Sequence, residues 1–131
     1  MAMTDVQKAT AGAGGEGIRW VRRLMVINLA FVALQALSAG FLMSGYVPAL
    51  KVHAIVAVAL QVGALIQAVA AVVQWRRRRV PGWVAGVSIG LFVMVFLQTG
   101  LGHRRSYWLH VPIGVGLFGG LTRQAGRLDT P

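Results

Sequence analysis

Apolar positions along the 131-residue chain do not alternate; they gather into long runs separated by short polar breaks. The runs cover residues 24–46, 52–75 and 82–102, followed by a shorter, glycine-rich one over 107–122. The first three reach the roughly 20 residues that a helix needs to cross about 30 Å of hydrocarbon. The fourth reaches that length only when it is continued through Arg123 toward Arg127. The pattern predicts an all-α, four-transmembrane-helix bundle, with helices near 22–46, 51–75, 82–103 and 107–124 in one domain spanning 18–127. The arginines ahead of the first run and the small residues within it resemble a signal peptide, but the segment reads as a retained anchor helix. Residues 1–17 are polar, small and glycine-rich, and read as a disordered tail.

Spacing within the runs predicts which faces meet. In the second segment His53, Ala57, Gln61, Ala64 and Ala68 recur at intervals of three and four, which places them on one inward stripe. Asn28 and Gln35, seven apart, share a face of the first. Lipid provides no hydrophobic drive between helices, so small residues and interhelical hydrogen bonds must hold the bundle. The glycines at 82, 86 and 90, and at 116 and 120, therefore suit close crossings, and Asn28, Gln35, Gln61, Gln67 and Gln98 suit interhelical hydrogen bonds. Gln61 and Gln98 are also candidates to line a ligand pocket.

Composition strengthens the membrane reading. The chain is 56% hydrophobic and 12% charged, whereas a soluble domain carries about a quarter charged residues. Its net charge of +10 would fit nucleic acid, but the arginines lie between apolar runs and not along a soluble face, so no nucleic-acid partner is expected. In a four-span arrangement Lys8, Arg19, Arg22, Arg23, Arg76, Arg77, Arg78, Arg79, Arg123 and Arg127 fall on one side. Lys51, Arg104 and Arg105 fall on the other. The positive-inside rule then places both termini in the cytoplasm. Trp20, Trp75 and Trp83 would mark the inner interface, and Tyr46, Tyr107 and Trp108 the outer one. With no cysteine there is no disulfide, thiolate metal site or thiol nucleophile. Arginine far outnumbers lysine, which suits a GC-rich bacterium and a multi-pass protein of its cytoplasmic (inner) membrane.

The candidate chemistry lies with three histidines. His53 opens the second helix, His103 closes the third and His110 opens the fourth, so all three share the outer depth. Ionisable residues in a membrane mark function by default. Two imidazoles on facing helices can bind haem iron on both sides without sulfur. His53 and His110 are the expected metal ligands, with His103 as the alternative second ligand. Pro112 is expected in the first turn of the fourth helix, fixing its start and so the position of His110. Lys51, Arg104 and Arg105 would pair with the haem propionates, since arginine matches carboxylates well. Zinc would want a further ligand such as Cys or a carboxylate, and none is available on that side. Asp5, Glu16 and Asp129 all lie near the termini, which argues against proton pumping, cation coupling and carboxylate hydrolysis.

A histidine opening the second helix, "LQTGLG" late in the third and "LHVPIGVGLF" opening the fourth together resemble one four-helix half of haem A synthase. They are also similar to small bacterial membrane proteins built on the same haem-binding bundle. The likeness covers residues 51–121. It implies a haem b held by His53 and His110, with Gln98 near the pocket. Haem A synthase carries a glutamate just before its helix 2 histidine, where this chain reads "VPALKVH", and it joins two such halves, where this chain has one. The expected role is electron transfer or haem handling within a larger membrane complex or homo-oligomer, with a quinone or an extracytoplasmic redox protein as partner. A cofactor-free accessory subunit is the alternative from another class; a small-molecule transporter or channel is the third, disfavoured by the missing acids.

Overall fold

The computed structural model describes residues 4–128, with side chains at 4, 12 and 15–128. It is all-helical: α1 Asp5–Met43, α2 Ala49–Arg76, α3 Gly82–His103 and α4 Tyr107–Arg127. Three of these, α1 from Gly15, α2 and α3, are long and apolar enough to cross a membrane. Their outward faces are apolar, with Leu37, Ile55, Val62, Val69, Val93 and Phe96 among the exposed side chains, so lipid is the medium they suit.

Two expectations about where helices begin need correction. Helix α1 begins at Asp5, within the stretch expected to be a disordered tail; residues 1–3 of that tail, and Asp129, lie outside the described residues. Extending an existing helix adds one hydrogen bond per residue without a new nucleus, so the Ala-, Lys- and Gln-containing start can continue it despite its glycines. Pro112 is not in the first turn of α4, which starts five residues earlier at Tyr107. It lies inside the helix and removes the bond to the Trp108 carbonyl just after His110, rather than setting the helix start.

The helices pack as a ring in chain order. α1 meets α2 and α4, and α3 meets α2 and α4, while α1/α3 and α2/α4 occupy opposite corners. Inward positions advance by four and three: Val21, Met25, Asn28, Val32 and Gln35 on α1, and Val84, Ser88, Leu91, Val95 and Gln98 on α3. This spacing keeps one stripe of each helix toward its neighbours.

The interior is consequently layered. Val21, Met25, Ala71, Val80, Val84 and Ala85 form an apolar layer at the arginine-rich end. Next come Asn28, Gln67 and Ser88, all fully buried. Asn28 Nδ2 donates to Gln67 Oε1 at 2.8 Å, and Gln67 Nε2 donates to Ser88 Oγ at 3.2 Å. A second apolar layer, Val32, Leu60, Ala64, Leu91, Val95 and Leu121, joins all four helices. Beyond it lies the histidine end.

Of the glycines at four-residue spacing only Gly82 lies close to another side chain, Trp75 at the α2–α3 turn; the others do not make the expected crossings. A Cβ at Gly86, Gly90, Gly116 or Gly120 would meet nothing within 4 Å, because α3 and α4 turn those faces outward. Close approaches occur elsewhere. A Cβ at Gly63 would collide with Asn28 Oδ1, and one at Gly102 would lie 3.1 Å from the His110 ring.

Candidate functional site

Antiparallel packing brings the end of α1, the start of α2, the end of α3 and the start of α4 to one end of the ring. His53 and His110 come from helices on opposite corners, and they face each other across the interior. Their ring centroids are 6.2 Å apart and their planes are inclined by 59°.

Each ring is held through Nδ1. His53 Nδ1 lies 2.9 Å from Ser38 Oγ, and the Ser38 hydroxyl donates its one proton to the Gln35 carbonyl at 3.0 Å. With its proton on that carbonyl the Ser38 oxygen accepts, and the His53 tautomer that pairs with it carries its proton on Nδ1. His110 Nδ1 lies 2.9 Å from the Gln98 carbonyl, an acceptor only, so His110 also carries its proton there. Both Nε2 atoms are then bare lone pairs, and no hydrogen bond to either is present among the described residues.

The backbones around the pair are clamped in parallel fashion. Gln35 Nε2 on α1 donates to the His53 carbonyl at 3.0 Å, and Gln98 Nε2 on α3 donates to the His110 carbonyl. In each helical hairpin, a glutamine near the end of the first helix thus grips the histidine that opens the second. Gln35 Oε1 and Gln98 Oε1 are buried and have no partner.

The other expected site residues separate into two groups. Gln61 is part-buried on the inward stripe, about two turns beyond His53 along α2, and donates to Thr99 Oγ1 at 3.0 Å. His103 is exposed, with Nδ1 3.0 Å from the Thr99 carbonyl of its own helix, and it does not join the pair. Lys51, Arg104 and Arg105 are exposed at the same end and make no hydrogen bond to either histidine. The described acids, Asp5 and Glu16, fall near the far end of α1, so this cationic rim has no internal counter-charge.

Sequence reasoning missed Ser38 and Thr99. Ser38 follows Gln35 by three residues and shares its face, a signal available from the sequence. The identity of its partner was not, because it depends on how α2 packs.

Two imidazole nitrogens bound to one metal at about 2 Å each put the ring centroids roughly 6 Å apart. A ligating histidine ordinarily donates its other ring N–H to a carbonyl or similar acceptor. Both features are present at His53 and His110. Among the described residues no group of three or more His, Cys, Asp or Glu gathers, so a metal drawing all its ligands from this chain is poorly served. Haem brings its own four nitrogens and needs only two axial ligands, which the pair can provide. Comparisons with protein-family models, curated proteins and solved structures give no match to this chain.

Proposed function

We propose that this chain is a four-span b-type haem protein of a bacterial inner membrane, with both termini cytoplasmic. It holds one haem near the extracytoplasmic face between His53 and His110, and it serves electron transfer or haem handling. The observation that carries this reading is the facing imidazole pair, with both Nδ1 atoms satisfied and both Nε2 atoms bare. Both rings are only partly buried and neither Nε2 is sealed in the interior, so each lone pair is open to an incoming metal, and an ion between the rings would take both.

His53 and His110 would be the axial ligands. Ser38 and the Gln98 carbonyl hold their protons on Nδ1, and Gln35 and Gln98 fix the ring-bearing backbones. Lys51, Arg104 and Arg105 would meet the propionates at the aqueous edge, which explains three cations on the side that the positive-inside rule leaves poor. A bound haem supplies reversible one-electron exchange at the iron. The layer of Asn28, Gln67 and Ser88 offers no second pair of ligands, so electrons would reach the other face through a quinone, a partner subunit or a second copy.

The fourth span rests on α4, whose 21 residues include Arg123, Gln124 and Arg127 and are less apolar than α2, α3 and the stretch of α1 from Gly15. Its Leu121 joins the central core, and Leu128, just past its end, packs against the apolar layer of Val21 and Met25. The resemblance to haem A synthase extends here to cofactor binding alone, since the glutamate of that family has no counterpart before His53.

Visible spectra of the purified protein, oxidised and dithionite-reduced, test the reading. A Soret band that shifts on reduction is expected, lost in His53→Ala and in His110→Ala and kept in His103→Ala. Absence of haem after expression with haem supplied, or a band unaltered in the His53→Ala/His110→Ala double variant, overturns it in favour of a cofactor-free accessory subunit.

A further inference from the structure

The turn joining α2 to α3 carries a cavity unrelated to the histidine end. Trp75, Arg78, Arg79, Val80, Pro81 and Gly82 line an open space of about 380 Å³. Its polar side chains are one indole and two guanidiniums, all of which donate hydrogen bonds and cannot accept them. Helix α3 also begins there. Pro81 is its N-cap and makes no side-chain capping bond, and no acid sits in its first turn. The first N–H groups of α3 lack the intrahelical partners that later ones have, and they add partial positive charge.

The backbone that carries these donors is held in place. Arg78 N–H donates to the Trp75 carbonyl at 2.8 Å, and Arg79 N–H donates to the Gln74 carbonyl at 2.9 Å. Arg79 is backed by α1, where a Cβ at Gly17 would lie 3.1 Å from its own Cβ. Trp75 Nε1 lies 3.0 Å from the Cβ position of Gly82, at the mouth of α3. Glu16 is exposed next to that α1 contact and forms no ion pair with Arg78 or Arg79. The result is a cavity whose polar side chains only donate and whose cations have no ion pair among the described residues, so its complementary ligand is an anion with several acceptor oxygens.

The geometry points to a phosphate site that takes the headgroup of an anionic phospholipid, formed by Arg78, Arg79, the Trp75 indole N–H and the start of α3. Lipid is favoured over a free anion because the cavity sits where two apolar helices long enough to span a membrane emerge together. Trp75 and Trp83 are exposed beside it, as side chains at a headgroup boundary are, and Val73 and Val87 offer apolar surface to acyl chains. Arginine forks match phosphate oxygens in pairs, and basic pockets between membrane helices bind anionic headgroups. The site does not depend on haem.

Its geometry separates it from general attraction to a basic loop, because Arg76 and Arg77 lie next to Arg78 and Arg79 but do not line the cavity. The test is native mass spectrometry of the full chain in mild detergent, titrated with phosphatidylglycerol or phosphatidylcholine. The variants are Arg78→Gly/Arg79→Gln and Arg76→Gln/Arg77→Gln, which remove the same charge. One phosphatidylglycerol should bind at least about tenfold more tightly than phosphatidylcholine. That preference should disappear in Arg78→Gly/Arg79→Gln and persist in Arg76→Gln/Arg77→Gln. Equal loss in the two variants would mean diffuse attraction and would overturn the site. Equal binding of the two lipids, or displacement of the lipid by millimolar inorganic phosphate, would overturn the lipid assignment. These last two measurements use the unaltered chain and stand whether or not a variant folds.

Discussion

His53 and His110 each use Nδ1 for the protein and keep Nε2 free, but the partners differ in kind. The His110 acceptor is a backbone carbonyl, which no substitution removes, whereas the His53 acceptor is the Ser38 hydroxyl. Ser38→Ala should leave the His53 N–H unsatisfied and cost about 1 kcal/mol of stability, read by unfolding in detergent. If haem is bound, it should also broaden or shift the Soret band, whereas a change that only loosens the fold would leave the band in place. A second residue-scale test concerns Gly63, whose Cα packs against Asn28 Oδ1. Gly63→Ala should destabilise by roughly 1–3 kcal/mol through overpacking. In an Asn28→Ala background the same change should cost little, and the difference between the two measures the contact.

At the scale of the elements, three helices end in the same way. The last turns of α1, α2 and α3 each place a left-handed residue just past the end: Gly45 at φ 87°, Arg78 at φ 56° and Arg105 at φ 55°. In each, the next residue donates back five positions: Tyr46 to Phe41, Arg79 to Gln74 and Ser106 to Leu101, at 2.9–3.0 Å. This is the Schellman arrangement, and the Phe41–Tyr46 ring contact at 6.1 Å is its usual hydrophobic partner. Glycine takes that conformation freely and arginine does not. Arg105→Gly should therefore stabilise the fold by about 1 kcal/mol, and Gly45→Ala should destabilise it by a similar amount, both measured by thermal unfolding. Arginine at 78 and 105 in place of glycine is consistent with its charge serving a purpose at both ends of the bundle.

At the scale of the molecule, alternating apolar and polar layers specify how the helices register. A shift of one helix by a turn would set Gln67 against Leu91 or His53 against an apolar layer, leaving buried polar groups unpaired. Topology can be read directly because the chain has no cysteine of its own. Single cysteines at Ser44 and Ser106 should react with an impermeant maleimide from the extracytoplasmic side of intact cells, and one at Arg77 should react only after permeabilisation. Labelling of Ser44 and Ser106 from opposite sides would rule out four spans.

Much of this protein could be read along the chain. Long apolar runs in a solvent without water must become helices, since every backbone polar group has to be satisfied within its own segment. The bounds of α2 and α3 therefore fall within a few residues of those the runs predict, and the inward stripe from His53 to Ala68 follows from helical periodicity alone. Periodicity fixes the face of a side chain but not its neighbour. That α2 and α4 stand at opposite corners, that His110 rather than His103 meets His53, and that Ser38 stands behind His53 depend on how four helices share one ring. The glycine stripes show the same limit: spacing marked them as a face, and only packing showed that α3 and α4 turn it outward. Pro112 failed as a marker of the helix start because the Arg104–Ser106 turn, set by the Schellman bonds at the end of α3, lets α4 begin at Tyr107. One-dimensional pattern determined what each helix is, and the contacts among four of them decided which residues meet.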